Sequence, residues 1–142
     1  MEYKRLDSSH ILCRLDPGDE IIASLKALAE KENIRLAMIQ GLGAVNDITL
    51  GVFRVNEKRY YAKDFTGDFE IVSLTGTIDR MQGNYYSHFH LSVGGEGGNV
   101  IGGHLNRAVV SATAEIVITV LPGSVNRTFN EAVGLNLWSF SD

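Results

Sequence analysis

The chain has 142 residues, 44% of them apolar and 21% charged, enough apolar material for a domain to build a core without cross-links. A single cysteine, Cys13, excludes an intramolecular disulfide framework and points to a reducing, cytoplasmic setting. Thirteen basic residues against 17 acidic ones give a net charge of −4, the wrong balance for a protein that grips nucleic acid by phosphate neutralisation alone.

Residues 1–5 are mixed and mostly polar, without the apolar run of a secretory leader, and no segment approaches the roughly 18 uninterrupted apolar residues that span a bilayer. No linker, repeat or low-complexity stretch divides the chain, so a single domain over 1–142 is expected. Ile11, Cys13 and Leu15 alternate with His10, Leu12 and Arg14, the period of a half-buried strand, which places Cys13 in the core. The stretch 16–33 predicts the one long helix. Asp16 serves as its N-cap, Pro17 suits the first helical position, and Asp19 and Glu20 favour the positive end of the dipole. Ile21, Leu25 and Leu28, with Ile22 and Ala29, form its apolar stripe, and Asn33 its stop.

Beyond the helix, strands are expected at 36–40, 48–55, 59–65 and 69–78. Gly41-Leu42-Gly43-Ala44-Val45-Asn46 begins like a dinucleotide fingerprint but lacks the third glycine and leads into a strand, so it reads as a tight turn. Lys58, Arg59 and Lys63 are the densest basic group, yet Glu57 and Asp64 interleave them, the mark of a solvated strand face. Further strands are expected at 85–93, 100–105, 109–121 and 135–140. Within 109–121, Val110, Ala112, Ala114, Ile116, Ile118 and Val120 share one face, and Ser111, Thr113, Glu115 and Thr119 the other. One early helix followed by many strands makes the chain α+β with a mainly antiparallel sheet. Fifteen glycines suit tight hairpins and close strand crossings. Asn126-Arg127-Thr128 matches a glycosylation sequon and is read as chance in a cytoplasmic protein.

Chemistry concentrates in 85–105. Two strand-like runs flank the glycine-rich Gly94-Gly95-Glu96-Gly97-Gly98, a hairpin signal. If the hairpin is symmetric about Gly97, His90 faces His104, Phe89 faces Leu105 and Val93 faces Ile101. Alternation then turns Phe89, Leu91, Val93, Ile101 and Leu105 into a core, and His88, His90 and His104 to the opposite face. A slip of one residue would bury the polar set, so the apolar pattern itself selects this register.

Three imidazoles within reach of one ion suit zinc, whose nitrogen ligands sit at about 2.0–2.1 Å, with a fourth position for water, a substrate group or another subunit's side chain. Nickel, copper or iron accept the same nitrogens. A lone histidine on a strand is ordinarily just solvated; three of the chain's four on one hairpin face are not so readily explained. Such a site activates water or polarises a carbonyl, given a general acid or base. Glu115 and Glu70 are the catalytic candidates, or second partners orienting a histidine, although for Glu115 a strand residue facing solvent or a subunit is the simpler reading. Nothing in the spacing of His10 requires it at the site, and no serine elbow supports Ser-His-Asp catalysis.

Taken together, these segments resemble the plants-and-prokaryotes-conserved (PPC) domain, in its stand-alone prokaryotic form. The likeness runs through Arg14-Leu15-Asp16-Pro17-Gly18-Asp19, Gly41-Leu42-Gly43-Ala44 and Gly67-Asp68-Phe69-Glu70-Ile71-Val72-Ser73-Leu74-Thr75-Gly76. It continues in His88-Phe89-His90-Leu91, Gly102-Gly103-His104-Leu105 and Glu115-Ile116-Val117-Ile118. The resemblance implies a compact α+β fold that assembles as a homotrimer, and metal held by His88, His90 and His104. Members are often labelled as candidate DNA-binding or regulatory proteins. In the plant relatives DNA contact belongs to a separate AT-hook built on Gly-Arg-Pro; this sequence has neither that motif nor a basic extension, and carries Asp68 where the plant pattern has arginine. The scaffold is similar to that of acetolactate decarboxylase, which also holds zinc through histidines, a likeness of fold that carries no function.

Three readings follow. The chain is a trimeric metal-binding module, a metal-dependent lyase or hydrolase acting on a small carbonyl or carboxylate, or a DNA-associated regulator. The acidic charge disfavours the last.

Overall fold

A computed structural model describes residues 1–140. Eight strands and one helix follow in the order β1 (Glu2–Arg5), β2 (His10–Leu15), α1 (Ile21–Lys31), β3 (Ala37–Arg54), β4 (Arg59–Met81), β5 (Asn84–Gly94), β6 (Val100–Val120), β7 (Asn126–Asn130) and β8 (Leu135–Ser139). The expected class, α+β with a mainly antiparallel sheet and one helix near the N-terminus, is what forms. The single parallel contact among the described residues is Arg80 beside Asn126, where β4 meets β7.

The sheet runs β1-β2-β6-β3-β4-β7-β8, and β5 bridges β4 and β6. The pairings β3–β4, β4–β5, β5–β6 and β6–β3 therefore close a ring. Ile39, Leu74, Phe89, Leu91, Val93, Leu105, Ile116 and Ile118 are buried together with the helix residues Ile21, Leu25, Leu28 and Ala29 in one hydrophobic cluster. Burial of this apolar surface is the main force holding the layers together.

Several expectations need correction. The helix begins at Ile21 rather than near Asp16, because Pro17 and Gly18 form a turn and Glu20 takes the cap, its carboxylate accepting from the Ala23 N–H at 2.7 Å. Asp16 and Asp19 instead bind the N-terminal ammonium, each at 2.9 Å. Asn33 does end the helical segment, in the left-handed region at φ 50°.

Gly41 to Asn46 is not a turn. It lies inside β3, which joins the two expected strands 36–40 and 48–55 through register shifts at 41–43 and 45–47. The glycines answer to crowding: at Gly43, with φ 144°, a Cβ would stand 2.2 Å from the Thr113 carbonyl oxygen of β6. The strands 59–65 and 69–78 likewise merge into β4, and 100–105 and 109–121 into β6. Because the β3–β6 register shifts between Gly43 and Val45, Ala112 is exposed instead of joining Val110 and Ala114 in the core. Strands β1 and β7 are too short and polar to show a period in the sequence.

Candidate metal centre

The hairpin from β5 to β6 has the register expected from its apolar pattern. His90 pairs with His104 and Val93 with Ile101, symmetric about Gly97. Phe89 and Leu105 do not face each other as expected, since the β5–β6 ladder ends at the histidine pair and Leu105 passes on to Leu50 of β3. The face assignment holds: Phe89, Leu91, Val93 and Leu105 are buried, while His88 and His104 are half-buried and His90 is exposed. Gly76 of β4 lets β5 lie close, because a Cβ there would meet the His88 carbonyl oxygen at 2.1 Å.

The three rings converge. Their centroids lie 5.0 Å (His88 and His90), 5.2 Å (His88 and His104) and 5.8 Å (His90 and His104) apart, and one ligand nitrogen from each falls within 4.8 Å of the others. Nε2 of His88 stands 3.2 Å from Nε2 of His90. The edge of a tetrahedron with metal–nitrogen bonds of about 2.0–2.1 Å is about 3.3–3.4 Å. Nδ1 of His104 is buried without a hydrogen-bond partner, a state that costs about 1–3 kcal/mol and that ligation of a cation through this nitrogen would relieve.

Electrostatics favour the ligating, neutral form. Burial, then the neighbouring His88 and His90, pushes His104 down to about 4. Burial also lowers His88, helped by His90 and Arg127 and opposed by Asp79. The donor set therefore fits a divalent transition metal. His88, His90 and His104 would hold it, and it would supply Lewis acidity at that spot.

Comparison with known proteins is consistent with this architecture. The family model of the Plants and Prokaryotes Conserved domain, abbreviated PCC or PPC, matches residues 2–122. The chain belongs to this family. Among solved structures, a Bacteroides thetaiotaomicron protein for which DNA binding has been suggested superposes on the PPC chain with a TM-score of 0.94 at 31% identity, covering 98% of this chain and 96% of that one. A PPC protein of Pyrococcus horikoshii gives 0.87 at 32% identity over 99% and 95% of the two chains. A metal-containing protein of Archaeoglobus fulgidus gives 0.86 at 29% identity over 98% and 99%. Among curated proteins none matches.

In this PPC chain the histidines open into a cleft of about 680 Å³, also lined by Tyr60, Tyr86, Arg127, Leu137 and Trp138. Behind the wall Asp79 is fully buried and receives Arg127 bidentately, Nε to Oδ1 and an Nη to Oδ2, both at 2.8 Å. The indole N–H of Trp138 donates to the same Oδ2 at 2.7 Å, and the second Nη of Arg127 donates to the Asn136 carbonyl at 3.0 Å. The guanidinium stacks over Tyr86 at 4.6 Å and Trp138 at 5.6 Å. Tyr60 packs its ring on His104 at 5.1 Å, and burial followed by the nearby Tyr86 raises its phenol above the usual range. Of these residues only Tyr86 carried a signal in the sequence, at the same alternation as His88 and His90. Arg127 sits in the sequon triplet, whose pattern carries no sign of this role, and nothing local ties Asp79 or Trp138 to the histidines.

The remaining predicted residues lie elsewhere. Cross-strand pairs link His88 to Thr77, Thr77 to Met38, Met38 to Thr119 and Thr119 to His10. His10 is thus on the same sheet face but four strand spacings away, about 19 Å, and its Nδ1 meets Asp7 at 3.1 Å. Glu115 is exposed between Arg14 and Leu42 and lines a second cleft of about 810 Å³. Glu70 is exposed on β4 opposite Gly94. Neither carboxylate lines the histidine cleft.

Proposed function

We propose that this PPC protein acts as one domain over 1–142 that binds a single divalent transition-metal ion through His88, His90 and His104, and that it assembles as a homotrimer. The observation that carries this reading is the convergence of three imidazoles on one outward hairpin face, two of them lowered in pKa by burial and one with a buried unpaired nitrogen. An all-nitrogen set with an open position suits zinc. The metal-containing relative from Archaeoglobus fulgidus supports the same view. Elemental analysis of untagged protein is expected to find one metal per chain. His104→Ala and the exposed-site variant His90→Ala should each lose it while keeping the circular dichroism of the parent; full metal content in both folded variants would refute the site.

Assembly is supported by the outer face of β2, β6, β3 and β4. Leu12, Leu42, Val72 and Val117 stand exposed there around the second cleft, with Met38 exposed on the same strand face, an apolar surface of the kind that partners cover.

Two other readings have specific support. The cleft beside the triad, with Tyr60 and Tyr86 in its wall, favours a metal-dependent lyase or hydrolase on a small carbonyl or carboxylate. In such an enzyme the phenols are better placed than Glu115 or Glu70 to touch a bound molecule. The relatives for which DNA binding has been suggested favour a DNA-associated regulator, against which stands the net charge of −4. A salt titration against duplex DNA separates this reading, since binding through phosphates must strengthen steeply at low salt.

A further inference from the structure

The histidine cleft brings three features together. The triad stands at one side of it. Two phenols, Tyr60 and Tyr86, also line it, and phenols are hydrogen-bond donors at neutral pH. Apolar groups open to solvent gather around them: Trp138 is 43% exposed, Leu137 36% and Phe129 60%.

Charge narrows what such a cleft can hold. Arg127 is the one permanently charged side chain among the described lining residues, and it is only 6% exposed and turned to other partners. Its Nε and both Nη atoms are bonded to Asp79 and the Asn136 carbonyl, and Asp79 cancels its charge. A phosphate dianion calls for free arginine or lysine forks, and none lines the cleft. A carboxylate monoanion needs less, and neutral donors beside a metal suffice. The aromatic and aliphatic wall, fixed from behind by the indole bond to Asp79 and the guanidinium stack, offers contact to an apolar substituent.

We infer that the cleft binds a small carboxylate bearing an aromatic or branched aliphatic group, its charged end at the histidines with Tyr60 and Tyr86 and its apolar end against Trp138 and Leu137. This rests on the metal reading above and names the ligand class for the same site.

The test uses zinc-loaded protein with phenylacetate, acetate and phenylphosphonate as probes. Trp138 is the only tryptophan in the chain, so its emission reports directly from the cleft wall, and zinc, a closed-shell ion, leaves that emission intact. Zinc content is measured in the same samples. Phenylacetate is expected to change Trp138 emission saturably and to bind at least tenfold more tightly than acetate by calorimetry. Leu137→Asp should erase most of that tenfold preference with zinc content unchanged, and Tyr86→Phe should weaken both carboxylates alike. Equal binding of acetate and phenylacetate by zinc-replete wild-type protein would overturn the inference alone, and tighter binding of phenylphosphonate would overturn the carboxylate assignment. Protein that takes up no zinc would overturn the metal reading and this inference with it.

Discussion

At the scale of single residues, the pair Asp79 and Arg127 is the most exposed to failure, because both charges are buried and each depends on the other. Asp79 is 0% and Arg127 6% exposed. Asp79→Asn keeps the volume but leaves the guanidinium uncompensated in a poorly solvated place. A loss of about 3–5 kcal/mol is expected, read as a fall in the midpoint of urea unfolding, and with it a slackening of Trp138 visible in its emission. Cys13 is the opposite case. Burial raises its thiol to about 11 and leaves it 4% exposed, so native protein at pH 8 should react with a thiol reagent only as fast as it unfolds. His104 gives the pH dependence. Its folded value of about 4 lies below the ordinary 6.5, so between those values the unfolded chain binds the extra proton. Stability of the metal-free protein is therefore fully present above about 6.5 and is lost progressively as pH falls toward 4. Thermal melts across that window should show the slope, and His104→Gln should flatten it.

At the scale of elements, the decisive object is the hairpin formed by β5 and β6, and the glycine beneath it. Gly76 faces Phe89, and an added Cβ would stand 2.1 Å from the His88 carbonyl oxygen and 2.7 Å from the Phe89 Cα. Backbone cannot yield as a flexible side chain does. Gly76→Ala should therefore push β5 outward, lowering stability by a few kcal/mol, about the cost of overpacking, and metal affinity with it; calorimetric zinc titration of the variant checks this. The hairpin was legible in the sequence because its signal is local. Two runs of alternating residues about a glycine turn fix a register, and the buried Phe89, Leu91 and Val93 admit only one. The long strands β3, β4 and β6 look broken in the sequence for an equally physical reason. Glycines at 41, 43 and 67 look like turns in isolation, whereas at Gly43 the need arises from β6, more than sixty residues away in sequence. The helix start was misplaced because Asp16 and Asp19 have cap chemistry but meet the N-terminal ammonium instead. Apart from Tyr86, the wall of the cleft leaves no local trace in the sequence, since β7 and β8 reach Asp79 only through the tertiary fold.

At the scale of the whole molecule, the metal centre and the apolar outer face are parts of one surface. The row His90, Thr75, Gln40, Val117 and Leu12 runs through directly paired residues from β5 to β2, and paired side chains share a face. A second copy seated on Val117 and Leu12 would cover that face three to four strand spacings from His90, about 14–19 Å, without replacing any of the triad's ligands, since all three come from one chain. Val117→Lys places a charge in the middle of that apolar row, where Val117 is 42% exposed; buried against another copy it would lose its hydration without gaining a partner. Sedimentation equilibrium should find the parent at three times the chain mass of 15.6 kDa and the variant at the mass of one chain. Metal content is the informative second measurement on the same samples. Retention of one ion per chain by the dissociated variant means that each domain completes its own site and that assembly serves another purpose, such as shaping the mouth of the cleft. Loss of the ion on dissociation means that the open coordination position is filled across the interface, and then the trimer, not the chain, is the unit that binds metal.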